Sequence, residues 1–201
     1  MKPDATRARK ATFLMHALYL KPGEYYLGDH PTKVTTVLGS CVAVSMYHRP
    51  SGLAAICHAV APDCDATASC PSGCPKLQRY VRCMIPAMVH AFSSRGVSPA
   101  NIETKLFGGA AMIDGDNRRD PGKLVGAQNI AAAREVIQQC GLVLKSSDVG
   151  GRVGRKIIFE TATGDILLKR LHPSSWRLLI PDKEMMMTPR RSNGKDKSID
   201  R

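Results

Sequence analysis

Val34-Thr35-Thr36-Val37-Leu38-Gly39-Ser40-Cys41-Val42-Ala43-Val44-Ser45-Met46-Tyr47 is the stretch on which the fold turns. Val34 to Leu38 and Val42 to Tyr47 are rich in β-branched residues and alternate, so both read as strands, and Gly39-Ser40-Cys41 is the corner between them. Arg49-Pro50-Ser51-Gly52 has the composition of a hairpin turn and returns the chain through an apolar run, Leu53 to Val60, that carries His58. If that run pairs beside the strand after Cys41, a thiol and an imidazole share one neighbourhood, as thiol-based acyl transfer requires. The plainer alternatives are a small buried cysteine and a structural histidine.

Working outward, Lys21-Pro22-Gly23-Glu24 reads as a turn, with a short strand at Tyr25 to Leu27 after it and a first strand carrying Phe13, Leu14 and Leu18 before it. Leu77, Tyr80, Val81, Met84, Ile85, Met88, Val89 and Phe92 recur at helical spacing, with Pro86 expected to kink the helix and Gly96 to end it. Ile102 to Phe107 is a further strand, closed by Gly108-Gly109. A second helix is expected over roughly Asn129 to Cys140, capped by Gly141. Leu142–Lys145, Lys156–Thr161 and Ile166–Arg170 finish as strands, the last two joined at Thr163-Gly164-Asp165. Many strands with two separated helices indicate an α+β (layered α/β) domain. We expect a basic flexible arm over residues 1–10, one domain over 11–175, and a charged, disordered tail over 176–201.

The chain has 201 residues, 43% hydrophobic and 23% charged, which suits one well-cored domain with tails. No apolar run approaches membrane-spanning length. Ala11 to Leu20 superficially resembles a signal peptide, but His16 breaks it and no small-residue cleavage site follows. Seven cysteines, unevenly placed, point to free thiols in a reducing compartment, and so to the cytoplasm. The formal charge is +12, of which residues 1–10 supply +3 and residues 182–201 supply +2, leaving +7 on the body. Such a surface favours an acidic partner. Basic residues are scattered and aromatics are only 5%, so a nucleic-acid surface is disfavoured against an acidic protein.

Cys41 is the candidate nucleophile, because a thiol on a sharp turn is exposed and flanked by backbone N–H groups able to stabilise an oxyanion; Gly39 and Ser40 form that turn. His58 is the candidate base. Thr35, six residues before Cys41 on the same alternation, could orient the imidazole through its hydroxyl or carbonyl, and could equally be an ordinary strand threonine. Cys57 should point to the opposite face of its strand. Cys64, Cys70, Cys74 and Cys83 are separated by five, three and eight residues, poor spacing for structural zinc, so no metal site is expected. Gly150-Gly151-Arg152-Val153-Gly154-Arg155-Lys156 lacks the Gly-Lys-Ser/Thr ending of a phosphate loop and reads as a tight turn with surface arginines.

The run Thr35 to Val44, with His58 at its spacing, resembles the CheD chemoreceptor glutamine deamidases. Lys105-Leu106-Phe107-Gly108-Gly109-Ala110-Ala111-Met112 is similar to that family's central Phe-Gly-Gly-Ala segment. Gly126 with Asn129, the Gly-rich run from Asp148 to Lys156, and Thr163-Gly164 follow in register. The resemblance spans about Phe13 to Leu171. It implies Cys41 as nucleophile, His58 as general base and Thr35 as orienter, acting without metal or organic cofactor. It further implies a β-sheet sandwich with helices packed outside, similar to deamidating bacterial toxins. The partners it implies are chemoreceptor cytoplasmic domains and, in some bacteria, a CheC-type phosphatase; by analogy, Phe107 is a candidate partner-binding residue. A non-catalytic binding module, or a thiol amidase acting on another protein, remain competing readings of the same residues.

Overall fold

The two strands of the Val34–Tyr47 stretch enter different sheets. The computed structural model describes residues 16–64, 77–111 and 124–171. Their strands are β1 (His16–Tyr19), β2 (Tyr25–Gly28), β3 (Thr32–Leu38), β4 (Val42–His48), β5 (Leu53–Ala59), β6 (Glu103–Gly108), β7 (Val143–Val149), β8 (Gly154–Glu160) and β9 (Asp165–Leu171). The helices are α1 (Val81–Ser93) and α2 (Val125–Gln139). One sheet has the order β1-β3-β8-β9 and the other β2-β5-β4-β6-β7. Gly39-Ser40 therefore carries the chain from the first sheet into the second.

Both helices pack on the second sheet, α1 against β5 and α2 against β4, β6 and β7. The result is three layers: sheet, sheet, helix pair. Each interface has its own core. Between the second sheet and the helices lie Val42, Val44, Met46, Met84, Ile85 and Phe92, among other buried apolar residues. Between the sheets lie Val34, Leu38, Ala43, Ile56, Ile157 and Phe159. Burying one such side chain contributes about 1.5–3 kcal/mol relative to leaving it in water. At the far end from the corner, the Tyr47 hydroxyl donates to Ala162 O at 3.0 Å and Lys105 Nζ to Gly164 O at 2.8 Å, tying the sheets together.

The expected elements form, with shifted boundaries. Leu77–Arg79 is a single 3-10 turn, and the first helix starts only at Val81 and runs through Pro86. The second starts at Val125, so Asn129 sits inside it rather than at its entry. β7 runs on to Val149 through Lys145-Ser146-Ser147-Asp148, because it lies at the edge of its sheet, parallel to β6, where solvent on its exposed positions removes any need for apolar alternation.

Two expectations are corrected here. Phe107 is not a surface contact: it is 5% exposed and belongs to the core between the sheets, which leaves its ring no free face for a partner. Nor is Arg155 a surface arginine. It is 3% exposed, donates from Nε to Asp148 Oδ1 at 2.6 Å, and satisfies Val153 O and Gly150 O with its other nitrogens. A buried guanidinium needs such a complete set of acceptors. Phe13, Leu14, Cys70 and Cys74, the 1–10 arm and the 176–201 tail lie outside the described residues. No described helix is long and apolar enough to cross a membrane.

Candidate active site

The site lies where the β3–β4 corner meets the end of β5, on the side facing the other sheet. β4 and β5 pair antiparallel, with Ala43 opposite His58 and Val42 opposite Ala59. Cys41, two residues before Ala43, packs partly buried against the inter-sheet core. Cys41 and His58 are thus diagonal neighbours on one face of the sheet, within reach of rotating side chains. They are not hydrogen-bonded to each other in this geometry, and a nucleophile–base contact of this kind commonly tightens only with substrate in place. Cys57 points the other way, into the helix-covered core, as the period-2 rule requires.

His58 is 2% exposed, and its ring is held at one end. Nδ1 lies 2.8 Å from the Thr36 hydroxyl, which in turn lies 2.8 Å from Leu20 O. A carbonyl oxygen only accepts, so the single hydroxyl proton of Thr36 goes to Leu20. The hydroxyl oxygen must then accept from Nδ1–H. This fixes the tautomer: Nε2 carries the lone pair. Nε2 is buried and has no hydrogen-bond partner among the described residues. Burial lowers the His58 pKa to about 4, against smaller opposing effects of the Leu20 carbonyl and the Glu24 charge, so at neutral pH the ring is an unprotonated base. Glu24 O also accepts the His58 backbone N–H at 2.9 Å, pinning β5 beside the Lys21–Glu24 turn.

The Thr35 expectation is therefore corrected: the hydroxyl at the imidazole belongs to Thr36. In β3 the inward residues are Val34, Thr36 and Leu38, while Thr35 alternates to the outer face, opposite Tyr19 of β1 and Ile158 of β8. In β4 the inward residues carry odd numbers, Ala43 and Tyr47. The corner between the sheets reverses parity, so counting back by twos from Cys41 selects the wrong threonine. Leu20, whose carbonyl completes the relay, and Glu24 were also missed. The pair Thr35-Thr36, one facing each way, was the available signal.

The Cys41 thiol is raised above the usual cysteine range, chiefly by burial; its own backbone N–H pulls weakly the other way. Thiol and imidazole thus rest neutral, and a proton transfer to Nε2 would accompany attack. Around the corner the carbonyls are fixed from behind. Gly109 N–H donates to Cys41 O at 2.8 Å and Ala110 N–H to Gly39 O at 2.8 Å. Gly108 must be glycine for this approach, because it holds φ of 103° and a Cβ there would collide with the Cys41 carbonyl. This gives the Phe107-Gly108-Gly109-Ala110 segment a concrete role as the corner's brace. Among the described residues no three metal-ligating side chains cluster.

A family model described as CheD chemotactic sensory transduction matches residues 67–170. A Geobacter sulfurreducens protein named probable chemoreceptor glutamine deamidase CheD 2 is 46% identical over 77% of this chain and 90% of its own length. This chain belongs to the CheD family. Other members named probable chemoreceptor glutamine deamidase CheD are 39% identical in Maridesulfovibrio salexigens (77% of this chain, 91% of the relative) and 33% in Natronomonas pharaonis (73% and 84%). A solved structure, the hypothetical protein YfiH of Bacillus licheniformis, matches 62% of this chain and 50% of its own at TM-score 0.40 and 15% identity, too weakly to inform the comparison. The family-model match begins at Thr67, beyond both Cys41 and His58.

Proposed function

We propose that this CheD-family chain is a protein-glutamine deamidase acting on chemoreceptor cytoplasmic domains, with Cys41 as nucleophile, His58 as base and Thr36 as the residue that orients it. The observation that carries the reading is the His58 ring: Thr36 holds Nδ1–H, which leaves a buried, bare Nε2 on the face it shares with Cys41. Nε2 takes the thiol proton as sulfur attacks the glutamine Cδ, and the carbonyl oxygen becomes an oxyanion facing the Ser40 and Cys41 N–H groups. The imidazolium returns its proton to the amide nitrogen, the C–N bond breaks, and ammonia leaves a γ-glutamyl thioester. Water, deprotonated by the same nitrogen, attacks the thioester and releases glutamate and the thiol. No cofactor enters this sequence.

The surplus of positive charge suits docking on an acidic receptor surface. The catalysis is placed in the cytoplasm, where a free nucleophilic thiol stays reduced. The sheet sandwich with outer helices is read as similar to the catalytic domains of deamidating toxins, and a CheC-like phosphatase as a second partner, both on the family resemblance. Mass spectrometry of chemoreceptor cytoplasmic fragments, with ammonia release measured in parallel, tests the reading. Conversion of particular glutamines to glutamate is expected with the wild type; none across a varied receptor panel, with folded enzyme, would refute it.

A further inference from the structure

Asn129 is fully buried on α2, far in sequence from the site, yet its amide reaches the corner. Nδ2 donates to Ser40 O at 2.9 Å and to Val60 O at 3.1 Å. Both partners are acceptors only, so the side-chain orientation is not interchangeable: a flipped amide would set oxygen against two carbonyls. Its Oδ1 has no donor among the described residues, so the amide is held for its NH2 group alone. α2 comes close enough for this because Gly126, one turn earlier on the same face, lies against the Gly108–Ala110 segment. A Cβ on Gly126 would sit 2.6 Å from Gly109 O.

The consequence follows from peptide geometry. Across a trans peptide the carbonyl and the next residue's N–H point in opposite directions. Ala110 N–H holds Gly39 O and Asn129 holds Ser40 O, so the N–H groups of Ser40 and Cys41 are turned away from the protein body. Neither donates to another described residue. The second bond, to Val60 O, fastens the corner to the residue following β5, the strand that carries His58. One buried amide thus sets the direction of an oxyanion donor.

We infer that Asn129 is a positioning residue for the deamidation, aiming the Cys41 N–H at the developing oxyanion while touching neither substrate nor thiol. This rests on the deamidase reading. The test compares wild type and Asn129→Ala in receptor-fragment deamidation and in Cys41 alkylation by iodoacetamide. Alkylation displaces iodide at a saturated carbon and creates no oxyanion. We expect kcat to fall about tenfold to a hundredfold with KM little changed, while the Cys41 alkylation rate stays within about twofold. Unchanged kcat, or deamidation and alkylation falling together, overturns the inference. Wild type that converts no receptor glutamine overturns the deamidase reading itself, and this inference with it.

Should the alanine variant unfold, shown by Cys57 becoming alkylated, Asn129→Asp carries the test. Its carboxyl can donate to Ser40 O only while protonated. Deamidation by this variant should therefore fade as pH rises through ionisation of that carboxyl, over a range where the wild type does not fade. A pH profile matching the wild type would overturn the assignment.

Discussion

Cys57 and His58 are adjacent in sequence and stand in two different interiors. Cys57 faces the helix-covered core among apolar residues, and burial pushes its thiol up to about 11. His58 faces the inter-sheet core, where Thr36 and the Leu20 carbonyl hold its ring and Cys41 approaches from the corner. Each interior holds a thiol, Cys57 fully buried and Cys41 partly so. Only one sets beside it a base with a fixed tautomer and a turn whose amides face outward. Burial alone makes a cysteine inert; reactivity here needs the polar relay of Thr36 and the Leu20 carbonyl, which stands on the face of Cys41 and not on that of Cys57.

The largest effect that would test this contrast is removal of each thiol in turn. Cys41→Ala should reduce receptor deamidation by about 10⁴-fold or more, whereas Cys57→Ala should leave kcat within a few-fold. Equal losses would erase the distinction between the two layers. The adjacent threonines come next. Thr36→Val removes the acceptor for Nδ1–H and should lower kcat about tenfold, equivalent to roughly 1.4 kcal/mol of transition-state stabilisation, while Thr35→Val on the outer face should be nearly silent. A reversed order would restore Thr35 as the orienter.

The pH dependence sharpens the same point. His58 titrates near 4 in the folded chain against an ordinary value of 6.5, so kcat/KM should hold from neutrality down to about pH 4 and fall below it. The sign for stability is set by which state binds more protons. Between 6.5 and about 4 the unfolded chain takes a proton that the folded chain refuses, so His58 costs stability as pH falls through that window. The total is about 3 kcal/mol, read as a declining urea midpoint that a His58→Gln variant should flatten. A midpoint with the same slope in both proteins would show that His58 is not the group refusing the proton.

Much of this was legible in the chain. The Val34–Tyr47 pattern identifies two strands and the corner, and the opposite facing of Cys57 and His58 follows from strand periodicity alone. What periodicity could not supply was the change of sheet at Gly39-Ser40. A rule of twos holds within one pleated strand and fails across a corner that reverses which face is inward, and so Thr35 stood in for Thr36. Phe107 was given a partner only by analogy, and the strand that carries it, β6, turns its ring toward the other sheet. Arg155 reads as solvated until Asp148, seven residues earlier, is seen paired with it across the turn. Asn129 sits among ordinary helix residues, and its service to a corner 89 residues away leaves no local signature.

The most direct test of the account is to catch the acyl-enzyme. Wild-type protein mixed with a receptor fragment is quenched in acid within the first turnovers and mapped by peptide mass spectrometry, with and without hydroxylamine. A γ-glutamyl thioester is expected on Cys41, cleaved by hydroxylamine and absent from Cys41→Ala. Glutamate formation that persists in Cys41→Ala, or an acyl group found on Cys57, would contradict it.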